Sequence, residues 1–455
     1  MVASLTILSS LKASSFLIQD EERLNLPQNM KVHQQDQQKA SDMGRRQKKS
    51  DKSHAEAPQL GPQTLSKDKN DGHREQQQQK QHRHHPLSIG ACLLVKDDNL
   101  LLPEWLAYHY TTLPLRHLII AADPLSITSP EYILDEYRNT TDMKVEFWKG
   151  NFYYRDGRWY KTKLENFNPL NYTNKHAVAI HDKRQNSFYE ACLKKFKEEY
   201  SIDWAMLIDS DEYFTYNTIL PKEAGDIDKN VTESRKLLPK HIGGQNTTIA
   251  HWLSTHQHID KKSRKAWCIV YPRINFSAIQ ELDAKQREGM QKSFPPSFSY
   301  NDFNSLRYRS YASFRTVIPG KSLINISKLR QLKQVRVSNP HSPCGDSVVR
   351  SVGLEPSFRV HHYAGPLESF LLRADARRSE KAWRIRNEVV ILGQDDSLSE
   401  WMHSFIDIVG EETAKRLTHG LIDAARQEWM DIKIRREQYN EMIPAAFEWD
   451  EPQKI

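Results

Sequence analysis

Two hydrophobic rhythms share the chain after residue 87. Ser88–Val95, Leu118–Ala122, Met143–Trp148 and Trp204–Ile208 are short, mostly apolar runs of strand length. Between them, apolar residues recur three and four apart, as on a helix with one buried face. Pro103 occupies a helix N1 position, and Glu104 in the first turn complements the helix dipole. Trp105, Leu106, His109 and Tyr110 then share a face. Ser129-Pro130-Glu131 reads as cap, first residue and acidic first turn of a second helix, continued by Tyr132–Tyr137. Tyr153–Asn174 reads as a long loop. A third helix, Arg184–Tyr200, buries Phe188, Cys192, Leu193 and Phe196 and turns its lysines and glutamates to solvent. This β-α-β-α-β order predicts an α/β fold, a mostly parallel sheet flanked by helices.

The fourth run ends in Asp209-Ser210-Asp211-Glu212. On an extended chain, residues two apart point the same way, so Asp209 and Asp211 are expected to meet just past the strand end. Ligands of open α/β sheets bind there. Two hard oxygen donors suit Mg²⁺ or Mn²⁺ held against substrate phosphates. An acidic turn with Asp as a cap is the plainer alternative. The apolar strand before it and Tyr213-Phe214 after it favour a metal–diphosphate site.

The two ends of the chain differ. From Leu367 onward the pattern is helical, over Ala382–Leu392, Leu398–Val409 and Glu411–Arg436. Trp401, Phe405, Ile408, Leu417, Leu421 and Trp429 are expected to pack on the sheet. Met1–Ile18 is apolar but is interrupted by Lys12. It falls short of the roughly 20 apolar residues of a membrane span and lacks a basic signal-peptide flank. A degraded signal-anchor is the membrane attachment it would offer. Gln19–Pro86 is rich in Gln, Lys, Asp, Ser and His, and is expected to be a disordered stem. The expected organisation is a stem at 1–86, a catalytic domain at 87–378 and a helical extension at 379–455.

Composition changes this picture little. A hydrophobic content of 38% in 455 residues is low for a chain folded throughout. The net charge of +7 is a mild basic bias that fits a phosphate-bearing substrate and gives no case for nucleic acid. Cys92, Cys192, Cys268 and Cys344 have no zinc-ligand spacing. The first two read as buried thiols; a disulfide among the four has no pairing assigned by sequence. Sequons at Asn139, Asn171, Asn230, Asn246, Asn275 and Asn325 favour a secretory lumen, in a Golgi-type layout of stem followed by domain.

Several blocks in order carry a resemblance. They are Lys96-Asp97-Asp98 with Pro103-Glu104-Trp105-Leu106-Ala107-Tyr108-His109; Leu118–Asp123; Arg184-Gln185 with Tyr189-Glu190-Ala191-Cys192; and Trp204–Phe214. Lys321, His341 and His361-His362-Tyr363 with Leu367-Glu368-Ser369-Phe370 follow. Together, over Leu87–Arg378, they resemble glycosyltransferase family 92 and its family 2-like relatives, the domain of unknown function 23 group. The sequence departs from the pattern at Asp97 and Asp98, at a polar insertion over Asp283–Asn304, and at Tyr271–Phe276 in place of a Gly-rich acceptor loop.

The resemblance implies a GT-A-like, Rossmann-like fold. It implies a hexosyltransferase moving sugar from a nucleotide-sugar, UDP-linked in this reading, to a glycan or glycoconjugate hydroxyl. The cofactor would be Mn²⁺ or Mg²⁺, acting as a Lewis acid at the leaving diphosphate. Asp209, Asp211 and Glu212 stand as catalytic residues. Lys96, Asp97, Asp123, Arg184, Asp209, Ser210, Asp211 and Lys321 stand as donor-binding. Asp209, Asp211 and His361 stand as metal ligands, with His362 the alternative histidine. Glu212, Glu281, Asp283, Asp302 and Glu368 are the acids available as a general base. Arg273 is a further candidate for phosphate or acceptor contact. The competing readings are a non-catalytic nucleotide- or carbohydrate-binding relative and a metal-dependent phosphoester hydrolase.

Overall fold

The apolar runs of the N-terminal half become β1 (Ile89–Val95), β2 (His117–Ala122), β3 (Lys144–Trp148) and β4 (Trp204–Leu207). Then come β5 (Glu212–Tyr216), β6 (Cys268–Tyr271), β7 (Arg273–Phe276), β8 (Ser310–Ala312), β9 (Lys321–Asn325), β10 (Val349–Arg350), β11 (Phe358–Tyr363) and β12 (Ile391–Gln394). The computed structural model describes residues 87–442 except 125, 151–152, 154–173, 219–237, 241, 245–246, 256–266, 280–281, 313–319, 330–336, 338–348, 351–356, 373–378 and 388–390. The expected stem, His341, Cys344, Glu281, most of the loop expected after Tyr153, and the sequons at 171, 230 and 246 lie outside the described residues.

The main sheet has the order β10-β6-β9-β4-β1-β2-β3. β1 pairs in parallel with β2 and β4, β2 with β3, and β6 with β10. β9 runs antiparallel between β4 and β6. All seven residues of β1 are buried, as expected of a central strand covered on both faces. Its alternate residues feed separate cores. Ala91, Leu93 and Val95 pack with the helix α1 (Leu102–Thr112). Cys92 and Leu94 pack with a later helix, after α2 (Glu131–Thr140), namely α3 (Asn174–Glu199). Gly90 is required where α3 comes closest: a Cβ there would sit 2.7 Å from Ile202 Cδ1 and 2.8 Å from Phe196 Cζ. The α/β class, the mostly parallel sheet with flanking helices and the helical C-terminal region are as expected.

A second sheet, β12-β8-β7-β11-β5, leaves β5 on an edge. Helix α1 covers that edge. Trp105 Nε1 donates to Glu212 O (3.1 Å), Tyr108 OH donates to Phe214 O (3.0 Å), and Phe214 N donates to His109 Nε2 (3.3 Å). Side chains thus occupy backbone groups that an edge strand would otherwise offer to another chain. Glu104 serves the fold as well, accepting from the amides of Asn304 and Ser305, both at 2.8 Å.

Several expectations need correction. Cys92 and Cys192 are not thiols but form a disulfide with each other, and Cys268 is also disulfide-bonded. The first bond follows from packing, since both residues point into the layer between β1 and α3. The polar insertion over Asp283–Asn304 contains regular structure. Asp283 caps a helix, Ala284–Ser293, in a reciprocal capping box with Gln286. The helix expected over Ala382–Leu392 ends at Asn387, and Ile391–Gln394 pairs with β8 instead. Residues beyond 378 therefore complete the second sheet. Finally, Ile408 stays exposed, whereas Trp401, Phe405 and Leu417 are buried. Trp401 packs edge-on against Tyr108 of α1. The third helix also begins at Asn174, ahead of the expected Arg184.

Burial sets a pH dependence. It pushes His109 down to about 3 and His361, with Arg359 adding to the effect, down to about 4, from an ordinary value of 6.5. The stability these neutral rings preserve is present above pH 6.5. It is lost as pH falls toward the folded values, because the unfolded chain takes up the protons first. Each ring contributes up to about 1.4 kcal/mol per pH unit in that window. The urea midpoint should fall clearly between pH 7.5 and pH 4.5; an unchanged midpoint contradicts this.

Candidate functional site

β4 belongs to the main sheet and β5 to the second. The acids Asp209–Glu212 are the turn that carries the chain between them, closed by Glu212 N donating to Asp209 O at 3.2 Å. A turn does not keep the i, i+2 alignment of a strand. Asp209 and Asp211 accordingly meet different partners, and the expectation that both reach one point needs correction. The Asp209 side chain remains 31% exposed and that of Asp211 only 7%.

Asp209 is held on both oxygens. Gln185 Nε2 donates to Oδ1 at 2.8 Å, and Lys321 Nζ to Oδ2 at 2.6 Å. Tyr189 OH donates to the Ile208 carbonyl beside it at 3.2 Å. Glu212 is fully buried. Its Oε1 accepts from Arg273 Nη1 at 2.8 Å; its Oε2 accepts from Asp209 N at 3.1 Å and lies 3.3 Å from Lys321 Nζ. With both oxygens engaged, Glu212 positions the turn and the two cations. Burial works to lower the Lys321 and Arg273 pKa values, but the nearby carboxylates outweigh it and raise both. Gly320 precedes Lys321 where a Cβ would fall 1.9 Å from Tyr271 O, so β9 can approach β6 only with glycine there.

Asp211 faces β11. Tyr363 N donates to Asp211 O at 2.9 Å, and His362 Nε2 lies 3.5 Å from Asp211 Oδ2. His362 Nδ1 is 2.9 Å from Asn275 Oδ1, so it is the nitrogen that carries the hydrogen and leaves Nε2 toward Asp211. Burial lowers the His362 pKa despite Asp211 beside it, which favours the neutral ring. His361 is not at the site. Successive strand residues face opposite ways, and its Nδ1 lies 3.2 Å from Tyr363 OH and its Nε2 3.2 Å from Asp395 Oδ2. There it joins the buried Arg359–Asp395 ion pair. Ligand atoms of Asp211, Glu212 and His362 lie within 4.8 Å of one another. Carboxylate oxygen with imidazole nitrogen is a donor set that suits Mn²⁺ or Mg²⁺. Of the three, Glu212 is the one bonded directly to Arg273 and lying beside Lys321, while Asp211 and His362 face each other.

The other expected donor residues sit across β1, at the ends of β1 and β2. Asp123 N donates to Val95 O at 2.7 Å, and its buried carboxylate accepts from Arg184 Nη1 at 2.5 Å and His181 Nδ1 at 3.0 Å. Asp97 turns toward the following loop. Its backbone is in the left-handed region, at φ 55°, and its Oδ1 accepts from Ile127 N (2.6 Å) and Thr128 N (3.0 Å). Lys96 is half-buried with its amide on Asp98 Oδ2, and Ser210 is buried in the acid turn. Among the other acids weighed as a base, Asp283 caps a helix, Asp302 pairs with Arg426 and His419, and Glu368 is exposed.

No family model and no curated protein matches the chain. Among solved structures, similarity is found to S. aureus TarS 1–349 in complex with UDP, at 13% identity and a TM-score of 0.28, covering 76% of this chain and 88% of that one. It is found to core-mannan synthase A (CmsA/Ktr4) of Aspergillus fumigatus in its Mn/GDP form, at 11% identity and 0.23, covering 64% and 72%. It is also found to the galactosyltransferase LgtC in complex with donor and acceptor sugar analogues, at 11% identity and 0.25, covering 69% and 99%. None reaches a TM-score of 0.5, and the fold is read from the strand order itself.

Sequence reasoning named Asp209, Asp211, Glu212, Lys321 and Arg273, which the structure brings together, and Asp123 with Arg184, which it pairs. It missed His181 and Asn275. His181 lies three and four residues before Arg184 and Gln185, a spacing that puts all three on one helix face. Asn275 was visible only as a sequon, and it lies beside His362 instead.

Proposed function

We propose that this chain is a metal-dependent glycosyltransferase that uses a nucleotide-sugar donor and a glycan or glycoconjugate hydroxyl as acceptor. The observation that carries the reading is the pairing of Asp211 with His362, beside the Lys321-braced Asp209, in the turn that follows β4. In an open α/β sheet this is where a nucleotide diphosphate lies. Asp211 Oδ2 and His362 Nε2 would hold Mn²⁺ or Mg²⁺; once bound, the ion neutralises charge on the departing diphosphate. Asp209 is a positioning residue held by Gln185 and Lys321. Arg273 and Lys321 keep three clustered carboxylates from repelling one another before ligand arrives. Calorimetry of UDP and GDP with and without Mn²⁺ tests the reading. Binding should tighten at least tenfold with metal, and Asp211→Ala should remove the difference; equal binding in EDTA contradicts it.

The compartment in this reading is an oxidising secretory lumen, Golgi included, where disulfides such as Cys92–Cys192 persist. Of the three described sequons, Asn275 and Asn325 are committed to internal hydrogen bonds, while Asn139 is exposed. In secretory cells the chain should therefore carry an N-glycan at Asn139, and Asn139→Gln should remove one glycosidase-sensitive mass step. An Asn139 peptide found wholly unmodified on secreted protein contradicts this.

A further inference from the structure

Helix α3 lays one face across the strand ends. Gln185 reaches Asp209 at the end of β4, and Arg184 and His181 reach Asp123 at the end of β2. β1 lies between these strands, so the two anchor points are about 10 Å apart at two strand spacings. A diphosphate at the acids would leave its nucleoside to extend along the same edge. The Asp123 carboxylate is only 1% exposed and is an acceptor on both oxygens, so His181 Nδ1 is the nitrogen that carries the hydrogen. Arg184, fully buried, fixes that carboxylate from the other side. The His181 ring is 17% exposed, and its Nε2 has no partner among the described residues.

This is a ring oriented by a buried charge pair, with one nitrogen turned to the surface. Such an arrangement presents an acceptor in a fixed direction. We propose that His181 is a donor-binding residue that accepts, through Nε2, a hydrogen bond from an N–H or O–H of the donor's nucleoside. The inference rests on the nucleotide-sugar reading above. It accounts for why a histidine, and not a second cation, completes the Asp123–Arg184 pair: a neutral imidazole donates inward and accepts outward at once, which a lysine or arginine does not.

The test is calorimetric binding of UMP, UDP and pyrophosphate, each with Mn²⁺, to the full chain and to H181N and H181Q. Asparagine keeps a donor for Asp123 but has nothing at the Nε2 position; glutamine places an amide oxygen near it. H181N should weaken UMP and UDP by the same factor, roughly tenfold. It should leave pyrophosphate affinity and the thermal midpoint unchanged, and H181Q should recover most of the loss. Exchanging UDP for 2′-deoxy-UDP, 3′-deoxy-UDP and CDP separates the three sources of the hydrogen, the two ribose hydroxyls and the uracil N3–H: the analogue to which H181N is indifferent lacks the group that His181 contacts. H181N that binds UDP like the unaltered chain, or that loses pyrophosphate equally, overturns the proposal. If the unaltered chain binds pyrophosphate but no nucleotide, the nucleotide-sugar reading itself fails.

Discussion

Asp211→Asn should lower nucleoside diphosphate release by about 100-fold or more while the chain stays folded. The size is that of removing one preorganised electrostatic group from a reacting centre, roughly two to three powers of ten. Asp211 is the carboxylate of the turn that faces a neutral His362 Nε2, at 3.5 Å. Its carbonyl stays bonded to Tyr363 N in the variant, so the turn keeps its anchor. EDTA should reproduce the loss in the unaltered chain, and Mn²⁺ should reverse it there but not in Asp211→Asn. Release within a few-fold of normal in the folded variant would remove Asp211 from the chemistry.

Lys321→Met should have the largest effect on stability. Its ammonium is 1% exposed and serves Asp209 and Glu212 together. Deleting one partner of a buried ion pair costs roughly 3–5 kcal/mol, because the remaining charge stays out of water. That is a large share of the roughly 5–15 kcal/mol that holds a domain folded. The raised Lys321 pKa also fixes a sign. Its contribution is fully present below the ordinary value of 10.5 and is lost as pH rises through the folded value. The urea midpoint of Lys321→Met should drop sharply at pH 7.5 and partly recover when Asp209→Asn and Glu212→Gln are added, since the stranded charges go with it. A single variant as stable as the unaltered chain would show that the acids need no internal cation.

The first four strands were legible because a strand buried on both faces leaves a bare apolar run, which β1 and β4 show. The second sheet was not. Its strands β5, β7 and β11 carry Glu212, Arg273 and the His361-His362 pair, and such polar residues hide a strand until its neighbours are known. β12 sat inside a helical rhythm because Ile391 and Leu392 continue the spacing of the preceding helix. The acids themselves were plain, but the turn between two sheets was not, so their divergence toward Lys321 and His362 could not be read from spacing. Period two dictates that His361 and His362 face opposite ways; which one faces Asp211 is set by the register of β11 against β5. The Cys92–Cys192 pairing needed the contact between β1 and α3.

The central claim is that the acid turn between the sheets handles a nucleotide-sugar through a divalent ion. The most direct measurement is nucleoside diphosphate release from a panel of UDP- and GDP-sugars with Mn²⁺, with and without a mixture of glycan acceptors. The account predicts release from at least one donor that rises on adding acceptor, stops in EDTA and is absent in Asp211→Asn. Release indifferent to acceptor would mark a phosphoester hydrolase. Tight metal-dependent nucleotide binding with no release from any donor would mark a binding relative, and either result would contradict the account.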